Sequence, residues 1–243
     1  CVDSAESALA AKKGGADRLE LCSALVIGGL SPSMALFRRI QELIDIRIHV
    51  LLRPRFGDFC YTDNEHEIIR NEIRMFREAG AQGVVIGSLK PDGSLDMHQM
   101  RELMTEAKGM SVTLHRAFDV CCDPLEALET ARALGVDTIL TSGQQAACTQ
   151  GAALLRQLVQ AARGNPQILI GAGVNAAVIR RLQPQTGADA FHLSAKHTVE
   201  SGMRFRREGV PMGQPGLSEF AIVRCDGAAV RAARAALDAL CPA

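Results

Sequence analysis

Apolar residues recur along this chain with two periods, and the switching between them sets out its elements. A phrase that closes a helix on glycine and then enters a buried strand occurs four times: GGADRLEL from Gly14, GAQGVVIG from Gly80, GVDTILTS from Gly135 and GADAFHLS from Gly187. Glycine suits a helix C-terminus, and the short apolar runs that follow suit buried strands. The phrases stand roughly 50 to 70 residues apart, about twice the 25 to 35 of one strand–helix unit, so a further unit is expected between each pair. Strand-like runs occupy those places: IHVLLRPR from Ile48, SVTLHRAF from Ser111 and QILIGAGV from Gln167. With Cys1-Val2-Asp3 as the frayed end of an eighth strand, the pattern predicts an α/β fold, a single (β/α)8 TIM barrel over residues 1–243. An open doubly wound sheet is the alternative.

Helix starts agree with this division. Asp3 or Ser4, Ser31-Pro32, Asp63, Asp123-Pro124 and Asn175 are expected to open helices, and the Ala-rich stretch 226–240 is expected to form the last one. Residues 198–223 carry Gly, Pro, Arg204, Arg206 and Arg207 and are expected to form one long loop, a lid or contact surface.

Alternate residues of a strand share a face, so the side chains opposite the aliphatic set can be read off directly. They are unusually polar. Glu20 and Cys22 oppose Leu19 and Leu21; Arg53 and Arg55 share a face; Thr113, His115 and Asp119 oppose Leu114 and Phe118; His192, Ser194 and Lys196 oppose Phe191 and Leu193. Barrel interiors are normally filled by branched aliphatics, whereas chemistry gathers at the C-terminal ends of the strands, where these residues are expected to lie. Glu20 and Asp3 are expected to pair with Arg53 or Arg55, because a guanidinium forks onto a carboxylate; such pairs also satisfy one another in interiors without chemistry. Glu20, His115 and His192 are the candidate catalytic groups. Arg53, Arg55, Ser194, Lys196 and the turn glycines Gly171 and Gly173 are the candidate anion-binding set.

Composition narrows the function classes. The 243 residues are 47% hydrophobic, and Lys plus Arg equals Asp plus Glu at 27 each, so no basic field exists to hold nucleic acid. With one Tyr and no Trp there are few stacking platforms for bases, and no apolar run reaches the length of a membrane span. Neither nucleic acid nor membrane is an expected partner. No export signal is read at the start of the chain, so a cytoplasmic protein with reduced thiols is expected, although eight cysteines are present. Cys1 and Cys22 end neighbouring strands, and two thiolates suit the soft ion Cu(I). Two small buried free thiols are the plainer reading. Adjacent Cys121 and Cys122 point to opposite sides of an extended chain and make a poor chelating pair.

Read in order, GGADRLELC, RPRFGDFCY, TLHRAFD, LTSG and FHLSA resemble the CutC family from Gly14 to Ala195, and MRFR and PMG extend the likeness to Gly213. The resemblance implies a (β/α)8 barrel, a cytoplasmic homodimer and a role in binding Cu(I) and controlling cellular copper, with Cys1 and Cys22 as the copper ligands. GAGV departs by holding Ala172 where the family often has Gly. A barrel enzyme acting on a small anionic metabolite, phosphorylated or carboxylated, is the alternative that the polar faces suggest. A dimeric scaffold that makes its contacts through residues 198–223 is a third.

Overall fold

Leucine, isoleucine and valine on one face of each strand demand a cover, and the amphipathic helices between the strands supply it. The computed structural model describes residues 1–207, 209, 210, 212 and 216–241. Its seven main strands are β1 (Arg18–Leu21), β2 (Arg47–Leu51), β3 (Gly83–Ile86), β4 (Ser111–Leu114), β5 (Thr138–Thr141), β6 (Gln167–Ile170) and β7 (Ala190–Phe191). They form one parallel sheet in chain order, β1 to β7. Leu19, Val50, Ile86, Leu114 and Ile139 join Phe37, Ile73 and Phe76 from the helices in a single buried cluster.

Local sequence places the helices. α1 (Ala5–Lys13) is capped by Ser4 and α2 (Met34–Leu43) by Ser33. α3 (Asp63–Glu78) opens on a capping box, the Thr62 hydroxyl accepting from the Glu65 N–H while the Glu65 carboxylate accepts from the Thr62 N–H. The cap therefore sits one residue before Asp63. α4 (Met97–Glu106) is capped by Asp96, α5 (Pro124–Leu134) by Asp123 with proline in its first turn, and α7 (Ala176–Thr186) by Asn175. α6 (Ala152–Ala162) starts at Gly151 without a side-chain cap, and α8 (Gly227–Asp238) is capped by Asp226. Among the described residues no helix is long and apolar enough to cross a membrane.

The sheet curls until its edges approach, and residues 1–3 bridge them. Val2 pairs in parallel with Leu21: its N–H donates to the Glu20 carbonyl at 2.9 Å, and the Cys22 N–H donates to the Val2 carbonyl at 3.0 Å. On the other side the Cys1 nitrogen donates to the Leu193 carbonyl, on the segment after β7, at 2.7 Å. Towards the N-terminal ends of the strands the two edges enclose a cavity of about 470 Å³, lined in part by Arg18, Glu20, His49, Thr113, Gln167 and His192.

The stretch expected as one long loop is partly a ribbon. β8 (Lys196–Glu200) runs antiparallel to β9 (Ala221–Cys225), from Lys196 opposite Cys225 to Glu200 opposite Ala221. The residues between hold exposed apolar side chains, among them Met203, Phe205 and Met212. Pro211 and Gly213 of the PMG motif lie outside the described residues.

Candidate functional site

The concave face of the sheet is polar because glycine makes room on it. A Cβ on Gly83 would fall 2.7 Å from the His49 ring, and one on Gly87 would fall 2.7 Å from the His115 ring. Gly83 in β3 and Gly87 just after it thus present hydrogen at two positions four residues apart, and the imidazoles of His49 on β2 and His115 just after β4 fill the space. Burial holds both rings neutral: His49 is lowered to about 4, with the Arg18 charge adding to the effect, and His115 to about 3, with Arg53 adding. His115 Nδ1 accepts from the Ala117 N–H at 3.1 Å and the ring lies 4.7 Å from that of Phe59. Its Nε2 is buried without a hydrogen-bond partner among the described residues, as are His49 Nδ1 and the Thr113 hydroxyl.

Three donor groups converge between the sheet edges. Ligand atoms of Cys1, Glu20 and His192 all lie within 4.8 Å of one another. Each is placed by backbone pairing: Cys1 precedes the Val2–Leu21 bridge, Glu20 stands on β1, and the His192 N–H donates to the Ile170 carbonyl at 2.8 Å, one residue beyond β7. His192 Nδ1 is 3.9 Å from Glu20 Oε2, with side chains 16% and 14% exposed, so the two face each other without a hydrogen bond. Burial pushes the Glu20 carboxyl up and holds His192 well below its ordinary value.

Cys22 stands apart from this group. Its thiol donates to the Val2 carbonyl at 3.5 Å, packs with Leu51 and Val85, and is pushed by burial up to about 12. In the parallel bridge Cys1 is level with Glu20 and Cys22 with Asp3, so the two cysteines are diagonal neighbours. Cys121 is buried, its thiol raised to about 11 by burial, whereas Cys122 is exposed, and all eight cysteines are free thiols.

The expected acid–arginine pairs do not form. Arg53 donates to the Gly29 and Gly57 carbonyls at 3.3 and 2.5 Å and lies over the Phe59 ring at 4.8 Å. Arg55 turns to the capping box of α3, with Nε 2.5 Å from Glu65 Oε1 and Nη2 2.8 Å from Asp58 Oδ1. Loop carbonyls engage both terminal nitrogens of Arg53, whose Nε stays buried without a hydrogen-bond partner among the described residues, and nearby carboxylates hold Arg55, which leaves Glu20 to its histidine. The Gly171 N–H is likewise occupied, donating to the Thr141 carbonyl at 2.9 Å. Gly173 (φ 81°) and Ala172 (φ 70°) are both left-handed, which explains why glycine fits the place of Ala172 so well. Ser194 is half-buried after β7, while Lys196 is exposed at the start of β8 and belongs to the ribbon rather than to the concave face.

Two features escape a reading of the sequence. His49 shares its strand face with Leu51 and Arg53, a position that alternation alone marks as inward. Asp119 proves to be a hub: its carboxylate accepts from the Thr141 hydroxyl at 2.6 Å, from the Ser142 N–H and hydroxyl at 3.0 Å, from the Gln144 N–H at 3.1 Å and from Arg116 Nε at 2.6 Å. The TLHRAFD and LTSG motifs are therefore two halves of one rim structure.

Residues 1–197 match the sequence profile of the CutC family. The chain belongs to the CutC family. It is 46% identical over 214 residues to a CutC family protein of Bacteroides fragilis (strain YCH46), covering 88% of this chain and 85% of that protein. It is 41% identical over 232 residues to the human copper homeostasis protein cutC homolog, covering 95% and 85%. Among solved structures it resembles the CutC protein of Streptococcus agalactiae, with a TM-score of 0.70 at 28% identity over 72% of this chain and 87% of that one. The CutC likeness thus spans the sheet, the Cys1–Glu20–His192 group and the rim built on Asp119.

Proposed function

We propose that this CutC chain binds Cu(I) and takes part in controlling copper in the cytoplasm, with Cys1 and Cys22 as the copper ligands. The observation that carries the reading is the Val2–Leu21 bridge, which sets the two cysteines diagonally on one face of paired extended segments. Diagonal neighbours on paired strands stand roughly 7–8 Å apart, so both short thiol side chains must turn toward each other to share one ion. The human relative's name, a copper homeostasis protein, supports the same reading. Two thiolates supply the soft donor set that Cu(I) selects over harder ions. Residues 1–3 serve as an eighth strand that completes a (β/α)8 barrel, so the copper site would also tie the barrel shut. The exposed apolar residues carried by the β8–β9 ribbon support a homodimer.

Anaerobic competition against a chromogenic Cu(I) chelator tests the copper reading. The parent should hold one ion per chain, and Cys1→Ser and Cys22→Ser should each release it. If the double variant competed as well as the parent, the cysteines would not be the ligands. The small-anion enzyme is not favoured, because Arg53 and Arg55 are engaged by loop carbonyls and by Glu65 and Asp58.

A further inference from the structure

Cys1 faces a second set of donors that the copper reading does not use. The carboxylate of Glu20 and the imidazole of His192 lie within 4.8 Å of each other and of the Cys1 sulfur. Ligand atoms around a tetrahedral ion at bond lengths of about 2.0–2.3 Å stand about 3.3–3.8 Å apart, so modest side-chain rotation closes this set around one ion. The three backbones are already fixed by the hydrogen bonds of Val2 to Glu20, Cys1 to Leu193 and His192 to Ile170. Among the described residues His192 is the only basic side chain facing Glu20 within 4 Å, and at 3.9 Å it is too far for a hydrogen bond.

We propose that Cys1, Glu20 and His192 form a facial S, O, N site for a divalent cation of borderline softness, of the Zn²⁺ or Co²⁺ class, which shares Cys1 with the Cu(I) pair. This rests on the reading of Cys1 as a metal-holding thiol. Charge and softness separate the two sites. A thiolate and a carboxylate together carry two negative charges, which a divalent ion neutralises and a monovalent ion does not, and unbalanced charge is costly when buried. Carboxylate is a hard donor that suits divalent ions and not Cu(I), whereas imidazole and thiolate accept Zn²⁺ and its neighbours. Three protein ligands leave a fourth position, which here faces the 470 Å³ cavity, so the bound ion would keep an exchangeable water or take a small ligand there. Occupancy by one ion then excludes the other, because both need the same sulfur.

Titration of the reduced chain with Co²⁺ under anaerobic conditions tests the site, read by the thiolate-to-cobalt charge-transfer absorption and the ligand-field bands. The parent should take up one Co²⁺ with a thiolate band. Glu20→Gln and His192→Gln should each weaken Co²⁺ binding about tenfold or more, and Cys22→Ser should leave it unchanged. The same Glu20→Gln and His192→Gln variants should keep Cu(I) against the chelator, while Cys22→Ser loses it, so failure of the copper reading and failure of this one give different patterns. Loss of the cobalt band in Cys22→Ser with retention in Glu20→Gln and His192→Gln would overturn the proposal, as would a parent that shows no thiolate band. X-ray absorption at the zinc edge of the Zn²⁺-loaded parent needs no variant: one sulfur with nitrogen and oxygen neighbours supports the site, and two sulfurs refute it.

Discussion

Gly83 and His49 show how one missing carbon decides what a strand can carry. The Gly83 backbone is ordinary strand, so an added methyl meets no conformational barrier and only the His49 ring 2.7 Å away. Gly83→Ala is therefore expected to lower stability by about 1–3 kcal/mol through overpacking. Urea denaturation should show that Gly83→Ala with His49→Ala costs less than the sum of the two single changes, and strict additivity would mean that the contact is not the cause. The rings in these hollows also set a pH response. In the unfolded chain His49 and His115 take up protons near pH 6.5, whereas in the folded protein they resist protonation down to about 4 and about 3. Folded values below unfolded ones mean that acid favours the unfolded state: the stability is complete above about pH 6.5 and falls as the pH drops below it, by about 1.4 kcal/mol per unit per histidine once well below. Melting temperatures between pH 7.5 and 5 should fall in the parent and fall less in His115→Asn, which keeps an acceptor for the Ala117 N–H. Equal slopes would remove His115 from the account.

At the scale of elements, the Asp119 hub ties the short helical turn after β4 to the loop after β5. Asp119→Asn keeps the shape but sets an amide donor against donors, and leaving such buried groups unsatisfied costs about 1–3 kcal/mol. Denaturant unfolding checks this, and a loss under about 0.5 kcal/mol would reduce the hub to ornament. All seven main strands were legible in the sequence, because each is an aliphatic run that follows a helical segment and a turn, most of them after a glycine although β2 follows Ile44, and this pattern is local. Most caps were legible for the same reason; Asp63 is misplaced by one residue, because Thr62 and Glu65 together make a better cap, and Ser31-Pro32 by two, because Ser33 caps α2 while the Ser31 hydroxyl donates to Glu72. The β8–β9 pairing was hidden because β8 is exposed at four of its five residues and so carries no core-facing period. The partners of Arg53 were hidden because they are backbone carbonyls, which have no letter in a sequence. Glu20 and His192 could each be read as inward, but their meeting depends on β1 and β7 being the two sheet edges, a consequence of the whole curl rather than of either strand.

The whole molecule poses a problem of surface at the ribbon. A two-stranded ribbon is marginal by itself, yet this one carries Phe205 at 67% and Met212 at 77% exposure. Arg206 pairs with Glu200 at 2.7 Å and lies over the Phe220 ring at 4.9 Å, so it links the end of β8 to the residue before β9. A second copy of the chain would cover Phe205 and Met212, and an interface between identical chains is most simply two-fold and self-complementary, ribbon against its partner. The parent is expected to have a dimer mass by light scattering and a melting temperature that rises with protein concentration, since association stabilises the folded state by mass action. Phe205→Ser with Met212→Ser should yield a monomer whose melting temperature no longer depends on concentration. Cu(I) uptake should survive in that monomer, because Cys1 and Cys22 sit on the sheet of a single chain and need nothing from a partner. A parent that is monomeric across the concentration range would sink the dimer, and a monomeric variant that loses copper would mean that the ribbon contact helps to hold residues 1–3 against β1.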